Sequence, residues 1–489
     1  MFHFQWSDVM EILSHFFEGA VYTYGVILLL LYAMLAILSF LNIQLFQKKE
    51  SYTDYKVIVG SPLAPGISVI APAFNEGLTI IDNVRSLLTF DYPKYEVIII
   101  NDGSTDDTLA KVIKEFSLVK TDFAYNIKIK SKEVRGIYKS TDEAYAKLVI
   151  VDKENGKSKA DATNAGINAS SFPYFLCTDV DCILHEQTLQ KLIRPVMEEE
   201  NRRVIAVGAT LRIANSCEIE KGVIINIKAP RPFLARFQEM EYIRAFVLGK
   251  MGWSLINAVP NVSGGLGMFD KEIVIKAGGY DPASFGEDME LMMRMNRFCY
   301  DNSIPSAIRY IPTTLCWTEG PTSIKIFMRQ RTRWGRGLIQ LMMAHRKMLF
   351  NYHYGKVGWV MFPYNFFFEL LAPVVEFLGI IYYILLIIYN QVNWPYAIIL
   401  LVFVYTYSIA ISTLAILWDH MNAKYYKTIK DVFRVSSMVL IEMVFYHPLI
   451  VIFALRGYYF HLINRTHSWG NMQRKGFKKT EAETKAANA

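Results

Sequence analysis

Two aspartates, Asp179 and Asp181, stand one residue apart in "YFLCTDVDCIL" (residues 174–184), directly behind an apolar run. Hard divalent cations such as Mg²⁺ or Mn²⁺ prefer oxygen ligands, and a site with few protein carboxylates leaves coordination positions for substrate phosphates. In isolation such a pair is as readily a solvated turn, but here it has company. The chain also carries "APAFNEG" at 71–77, "NDGSTDDT" at 101–108, "KADATNAG" at 159–166, "NVSGGLGMFD" at 261–270, "FGEDMEL" at 285–291 and "QRTRW" at 330–334. Asp288 stands at the apparent start of a helix, where an acid is also favoured simply as a cap against the macrodipole. "QRTRW" by itself reads equally as an interfacial anchor.

These residues need elements to hold them. Between Gly60 and about Gly320, short β-branched runs ("ISVIAPAF", "YEVIIIND", "KLVIVD", "YFLCTDVD") alternate with amphipathic stretches and end at turn or acidic residues. That rhythm predicts an α/β domain with buried, mostly parallel strands. Ligands in such sheets sit at the carboxyl ends of the strands. Asn75, Glu76, Asp102 and the Asp179/Asp181 pair all stand at such ends.

Around that domain the chain is too apolar for a soluble protein of 489 residues, with 52% hydrophobic and 14% aromatic content. Residues 20–46 contain no charge and, at about 1.5 Å per residue, exceed the roughly 30 Å hydrocarbon core. No Lys or Arg precedes this run, whereas Lys48 and Lys49 come directly after it, which argues against a cleavable signal and places the N-terminus outside. The predicted order is an N-terminal segment (1–19), a transmembrane helix (20–46), a cytosolic catalytic domain (60–320), interfacial amphipathic helices (321–355), a C-terminal membrane region (356–463) and a cytosolic segment with a polar tail (464–489). Within 356–463, two spans are expected, one from about Phe366 to Tyr389 and one from Trp394 to Trp418. The third apolar run, Ser436–Ile463, holds Glu442, His447–Pro448, Arg456 and His461, and is expected at the interface or as a re-entrant helix. Glu369 and Glu376, seven apart, share a helix face and should point at protein or a polar path.

The five cysteines show no CxxC spacing and read as reduced, structural thiols. A net charge of +7 does not come from an aromatic-interleaved basic stripe, so nucleic acid is excluded as a partner in favour of anionic lipid and a phosphate-bearing substrate.

From Gly66 to about Phe477 the sequence resembles the membrane-embedded branch of glycosyltransferase family 2, which includes cellulose, hyaluronan and poly-N-acetylglucosamine synthases. The ordered set DxD, GED and QxxRW carries most of the resemblance. It implies a GT-A, Rossmann-like catalytic domain that takes a UDP-sugar donor and Mg²⁺ or Mn²⁺. Asn75, Glu76 and Asp102 would line the uridine pocket. Lys159 would reach the diphosphate, although "GKSKADATN" here replaces the double glycine of the family's motif. Asp179 would contact the donor and, with Asp181, hold the metal. Asp288 would take the proton of the acceptor hydroxyl. Gln330 and Arg333 would stabilise the leaving diphosphate, and Trp334 would stack on a sugar. Trp469 and Arg474 of "SWGNMQRKG" look like the segments that related synthases fold over the nucleotide. With one base and no carboxylate nucleophile, direct attack inverts the anomeric centre.

The resemblance thus implies an inverting UDP-sugar hexosyltransferase of the plasma membrane, extending a β-linked polysaccharide, with export through its own helices in view. The alternative is a non-processive enzyme adding one sugar to a lipid or other acceptor. Both accommodate a carbohydrate or lipid acceptor, membrane lipids and an accessory subunit. A nucleotide-sugar sensor or a transporter would not need Asp288 together with the acidic pair.

Overall fold

The computed structural model describes residues 6–122, 125–220 and 222–463, with side chains from residue 19 onward. Trp469, Arg474 and the polar tail therefore lie outside the described residues. Helix α1 (Trp6–Tyr52) leads into the α/β domain. The strands are β1 (Ile67–Ala73), β2 (Tyr95–Asp102), β3 (Leu118–Thr121), β4 (Val134–Ser140), β5 (Leu148–Lys153), β6 (Tyr174–Thr178), β7 (Ile183–Leu184), β8 (Arg203–Ile213), β9 (Glu218–Glu220), β10 (Val223–Asn226), β11 (Leu266–Asp270) and β12 (Ser306–Thr318).

Ten of them form one mixed sheet in the order β3-β4-β5-β2-β1-β6-β11-β8-β12-β7; β9 and β10 pair as a separate hairpin. The four apolar runs picked from the sequence are β1, β2, β5 and β6, neighbours in the sheet and mutually parallel. They are buried almost throughout, which is why they read as continuous apolar runs rather than alternating ones. The result is the α/β domain expected, with membrane-like helices before and after it.

The register sets the site. Ile67 pairs with both Tyr95 and Tyr174, so the loops holding Asn75 and the Asp179/Asp181 pair leave the same sheet edge, where Asp102 closes β2. Lys153 is the direct partner of Asp102 across β2 and β5. Antiparallel β11 pairs Leu266 with Thr178, which brings the turn Ser263–Gly265 back beside Asp179. Helix α2 (Lys159–Ala169) begins beside that edge, its first turn capped by the Ser158 hydroxyl accepting from Asp161 N at 3.2 Å.

Helix α3 (Phe233–Ile243) runs through a π-helical stretch (Arg244–Lys250) into α4 (Met251–Leu255). This long element docks on α1. Asn42 donates to Met251 O at 2.8 Å, and a Cβ on Gly252 would meet Leu35 O at 2.8 Å. Helix α5 (Glu287–Asp301) carries the GED motif at its start, and α6 (Ile324–Ala344) carries "QRTRW".

Among the described residues, four helical stretches are long and apolar enough to cross a membrane: Gly19–Tyr52, Val357–Ile388, Trp394–Ala423 and Glu442–Leu462. The second ends in α7 (Ala372–Ile388), the third is α8 (Trp394–Ala423), and the fourth ends in α9 (His447–Leu462). The fourth is the least apolar and the most covered by protein. Its α9 lies on α6 with backbones nearly touching: a Cβ on Gly457 would sit 2.5 Å from Thr332 O. The acid in that stretch, Glu442, is met by a bidentate Arg244 from the π-helical stretch at 2.7 and 2.8 Å. Glu376 pairs with His447 at 2.7 Å, and Glu369 accepts from the Tyr364 hydroxyl at 3.0 Å, so both acids of the second stretch face protein.

Candidate active site

Asn75 sits at φ +57, a left-handed conformation that asparagine tolerates better than most residues. Its backbone N donates to Ser104 Oγ at 3.0 Å and its side-chain carbonyl accepts from Thr105 N at 2.8 Å, which ties the loops after β1 and β2 together. Glu76 accepts from the Thr79 hydroxyl at 3.2 Å. Asp102 is buried, its carboxylate accepting from Gly156 N at 3.0 Å and paired with Lys153 Nζ at 2.6 Å. That same ammonium, wholly buried, also lies 2.6 Å from Asp161 of α2. One lysine therefore fixes the carboxylate at the end of β2 to the helix that starts with Lys159. The sequence reading overlooked Lys153 and Asp161; a charged residue ending an otherwise apolar strand was the signal.

A second cluster is built around Ser263–Gly264–Gly265. Lys159 Nζ donates to Gly264 O at 2.6 Å and pairs with Asp179 at 2.5 Å. Burial alone would lower the Lys159 pKa, but Asp179, with Cys177 and Glu287 further off, overrides it and holds the group above the ordinary lysine range. The two glycines keep this centre open. A Cβ on Gly264 would lie 3.6 Å from Asp288 Oδ2 and 3.9 Å from Lys159 Nζ, and one on Gly265 would lie 3.8 Å from Asp179 Oδ2. Asp288, Lys159 and Asp179 thus converge on one point of backbone, from three different elements.

Asp179, Asp181 and Cys182 each bring a possible ligand atom within 4.8 Å of the others. Cys182 shares a hydrogen bond with Cys316 and is buried, both of which push its thiol well above the ordinary cysteine range. The two carboxylates are therefore the anionic donors, a set that suits a hard divalent ion completed by phosphate oxygens.

Asp288 is the second residue of α5, and the loop before it is clamped to α6. Phe285 N donates to Gln340 at 3.1 Å, Gln340 donates back to Ala283 O at 3.1 Å, and Gly286 lies so close to Gly337 that a Cβ on Gly337 would meet Gly286 N at 2.8 Å. Burial, with the Asp288 charge adding to it against Arg333, raises the pKa of Glu287. Arg331 of "QRTRW" is taken up structurally: it pairs with Glu241 of α3 and stacks over Trp334 at 4.4 Å.

A single cavity of about 1630 Å³ joins these parts. Lys159, Asp179, Asp288, Gln330, Arg333 and Trp334 line it together; Asn75, Glu76, Asp102 and Asp181 do not, standing at or just past the carboxyl ends of β1, β2 and β6. The cavity also reaches Tyr32 of α1, Tyr364, Glu369 and His447, all in the membrane-like helical stretches. Also in its wall is Lys250, which the sequence reading passed over although a lone charge inside "FVLGKMGWSL" could have marked it.

Comparison with known proteins gives the same outline. The model of glycosyl transferase family 2 matches residues 68–247, and that of glycosyl transferase family group 2 matches residues 175–416. A poly-beta-1,6-N-acetyl-D-glucosamine synthase of Staphylococcus epidermidis is 29% identical over 272 residues, covering 56% of this chain and 54% of that protein. The protein of the same name from Staphylococcus aureus is 27% identical over 272 residues, with the same shares. The chain thus spans about half the length of the curated relatives it matches. A mannosyltransferase of Pyrobaculum calidifontis, solved with GDP-Man and Mn²⁺, aligns over 89% of this chain and 100% of its own at 15% identity and a TM-score of 0.49.

Proposed function

Because this chain belongs to glycosyltransferase family 2, we propose that it is a multi-pass enzyme of the plasma membrane that transfers a sugar from a UDP-sugar to the end of a growing β-linked polysaccharide, with its catalytic domain on the cytosolic side. The observation that carries this reading is the continuous cavity. The residues suited to group transfer and the polar side chains of the membrane-like helices line one space, so a product made at Asp288 already faces a path between helices. UDP-N-acetylglucosamine is the first donor to try, given the relatives' activity. Their N-acetylglucosamine polymers also favour polymerisation over a single addition.

The chemistry rests on the placement of the groups. Asp102, Asn75 and Glu76 hold the nucleoside, and Lys159 and Arg333 face the diphosphate, with Gln330 beside them. A divalent ion held by Asp179 and Asp181 would neutralise diphosphate charge. Asp288 takes the proton from the acceptor hydroxyl as its oxygen bonds to the anomeric carbon. The bond from that carbon to the β-phosphate oxygen breaks on the opposite face and UDP departs with the electron pair, so configuration inverts. The guanidinium and ammonium meet the charge that develops on the leaving oxygen, where such groups are most effective. Trp334, 36% exposed on the cavity wall, presents its ring to the sugar being extended.

The test is to supply the full chain, in lipid nanodiscs, with a panel of UDP-sugars, monitoring UDP release and product size. Release from one donor with long products is expected. No release from any UDP-sugar would overturn the reading, and a single-sugar product would replace polymerisation by single addition.

A further inference from the structure

Lys250 ends the π-helical stretch and is 8% exposed, with its ammonium in the wall of the reaction cavity. Among the described residues it makes one hydrogen bond, to Ser263 Oγ at 3.3 Å, and no ion pair. The faces of Phe246 at 4.7 Å and Tyr310 at 5.4 Å lie beside it. Removing an ammonium from water without a partner is costly, and aromatic faces return only part of the loss. The other buried cations nearby have acids to meet: Lys159 has Asp179, Arg331 has Glu241 and Arg244 has Glu442.

The turn from Ser263 to Gly265 locates Lys250 relative to the reaction. Gly265 faces Asp179, Gly264 faces Asp288 and Lys159, and Ser263 is the residue that Lys250 touches. Lys250 therefore stands at the other end of this turn from Asp179, where the Asp288 charge acts on it; with the donor diphosphate assigned to Lys159 and Asp179, this end is left for the acceptor. Resting on the proposed function, we infer that Lys250 is an acceptor-binding residue, its ammonium donating to an oxygen substituent of the acceptor's terminal sugar and so holding the attacking hydroxyl towards Asp288. The cavity wall beside it, Phe246 and Trp253, supplies the apolar surface that a sugar ring's C–H face requires.

Burial lowers the Lys250 pKa to about 8, with the Asp288 charge opposing the shift. Of the other ionisable groups, Tyr310 on β12 presents its ring at 5.4 Å, Lys159, Asp179 and Tyr32 line the same cavity, and Glu241 and Arg244 on the same long element are paired with Arg331 and Glu442. The sign is then fixed. The ammonium is present below about pH 8 and lost above it, so acceptor affinity falls as pH rises through that value. An arginine at this position stays charged.

The experiment measures binding of a β-1,6-linked N-acetylglucosamine tetrasaccharide to the UDP-loaded full chain in nanodiscs, between about pH 7 and 9, a window that brackets the lysine titration. Lys250→Met is expected to weaken binding by roughly ten- to hundredfold at the lower end of that window, the scale of a hydrogen bond from a charged group. Lys250→Arg is expected to retain binding and to lose the decline at the upper end. UDP affinity, measured alongside, reports whether each variant is folded. Equal tetrasaccharide affinity in the parent and Lys250→Met, or no binding by the parent, overturns the inference. Turnover of UDP-sugar by the parent is read separately, so a failure of the proposed function shows itself there and not in the binding comparison.

Discussion

The Lys153 ammonium, wholly buried, bridges the Asp102 and Asp161 carboxylates at 2.6 Å each, and so joins the end of the second strand to the helix that begins with Lys159. A buried cation shared by two acids leaves one net negative charge at the carboxyl ends of β2 and β5, compensated in part by the Gly156 N–H.

Lys153→Met should therefore leave two buried carboxylates facing each other, a loss of about 3–5 kcal/mol for a broken buried pair. Thermal unfolding should show it as a lower midpoint, and UDP titration as weaker affinity. Adding Asp161→Asn to Lys153→Met should recover part of the stability, because one of the stranded charges is gone. No recovery in the double variant would mean that the bridge is not the origin of the effect.

Asp288→Asn should abolish transfer while leaving UDP binding nearly intact. The substitution keeps the shape of the first turn of α5 and removes only the basic oxygen, worth at least about a hundredfold in rate. Residual turnover equal to the parent's would remove Asp288 from the base role.

Asp181→Ala should weaken metal-dependent UDP binding by roughly tenfold or more, the cost of one charged donor. Exhaustive chelation of the parent should stop UDP release, with Mg²⁺ or Mn²⁺ restoring it. Full activity after chelation would exclude the acidic pair as a metal site.

The strands were legible because each buried parallel strand is a continuous β-branched run ending in an acid or a turn, and the register of β1 with β2 and β6 then places Asn75, Asp102 and Asp179 at one edge. Asp288 and Arg333 could be marked by local motif alone. The contacts that join them could not. Gly286 against Gly337 and Gly457 against Thr332 are contacts between backbones far apart in sequence, and a glycine in a sequence does not announce which chain will press on it. Lys250 escaped for a related reason: its importance lies in being a buried cation without an acid, and pairing is a property of three-dimensional neighbours. Glu442 shows the converse. In the sequence it made a span look expensive, whereas the structure pairs it with Arg244 of the catalytic domain.

That pairing bears on the topology of the run Ser436–Ile463. Glu442 is buried against Arg244, and α9 lies on α6 through Gly457, so this run is packed on elements attached to the catalytic domain. Exporting the residues beyond Ile463 would carry Arg465, Arg474, Lys475, Lys478 and Lys479 across the membrane, against the positive-inside rule. The expectation is that the C-terminal segment remains on the cytosolic side with the catalytic domain. Asn488→Cys tests it in intact cells with a membrane-impermeant thiol reagent. Four of the native cysteines are buried, so only Cys217 needs replacement by serine to silence the background. Labelling is expected only after the cells are opened. Labelling of intact cells would instead place the C-terminus outside, make Glu442–Leu462 a full crossing, and remove Trp469 and Arg474 from any part in closing the nucleotide pocket.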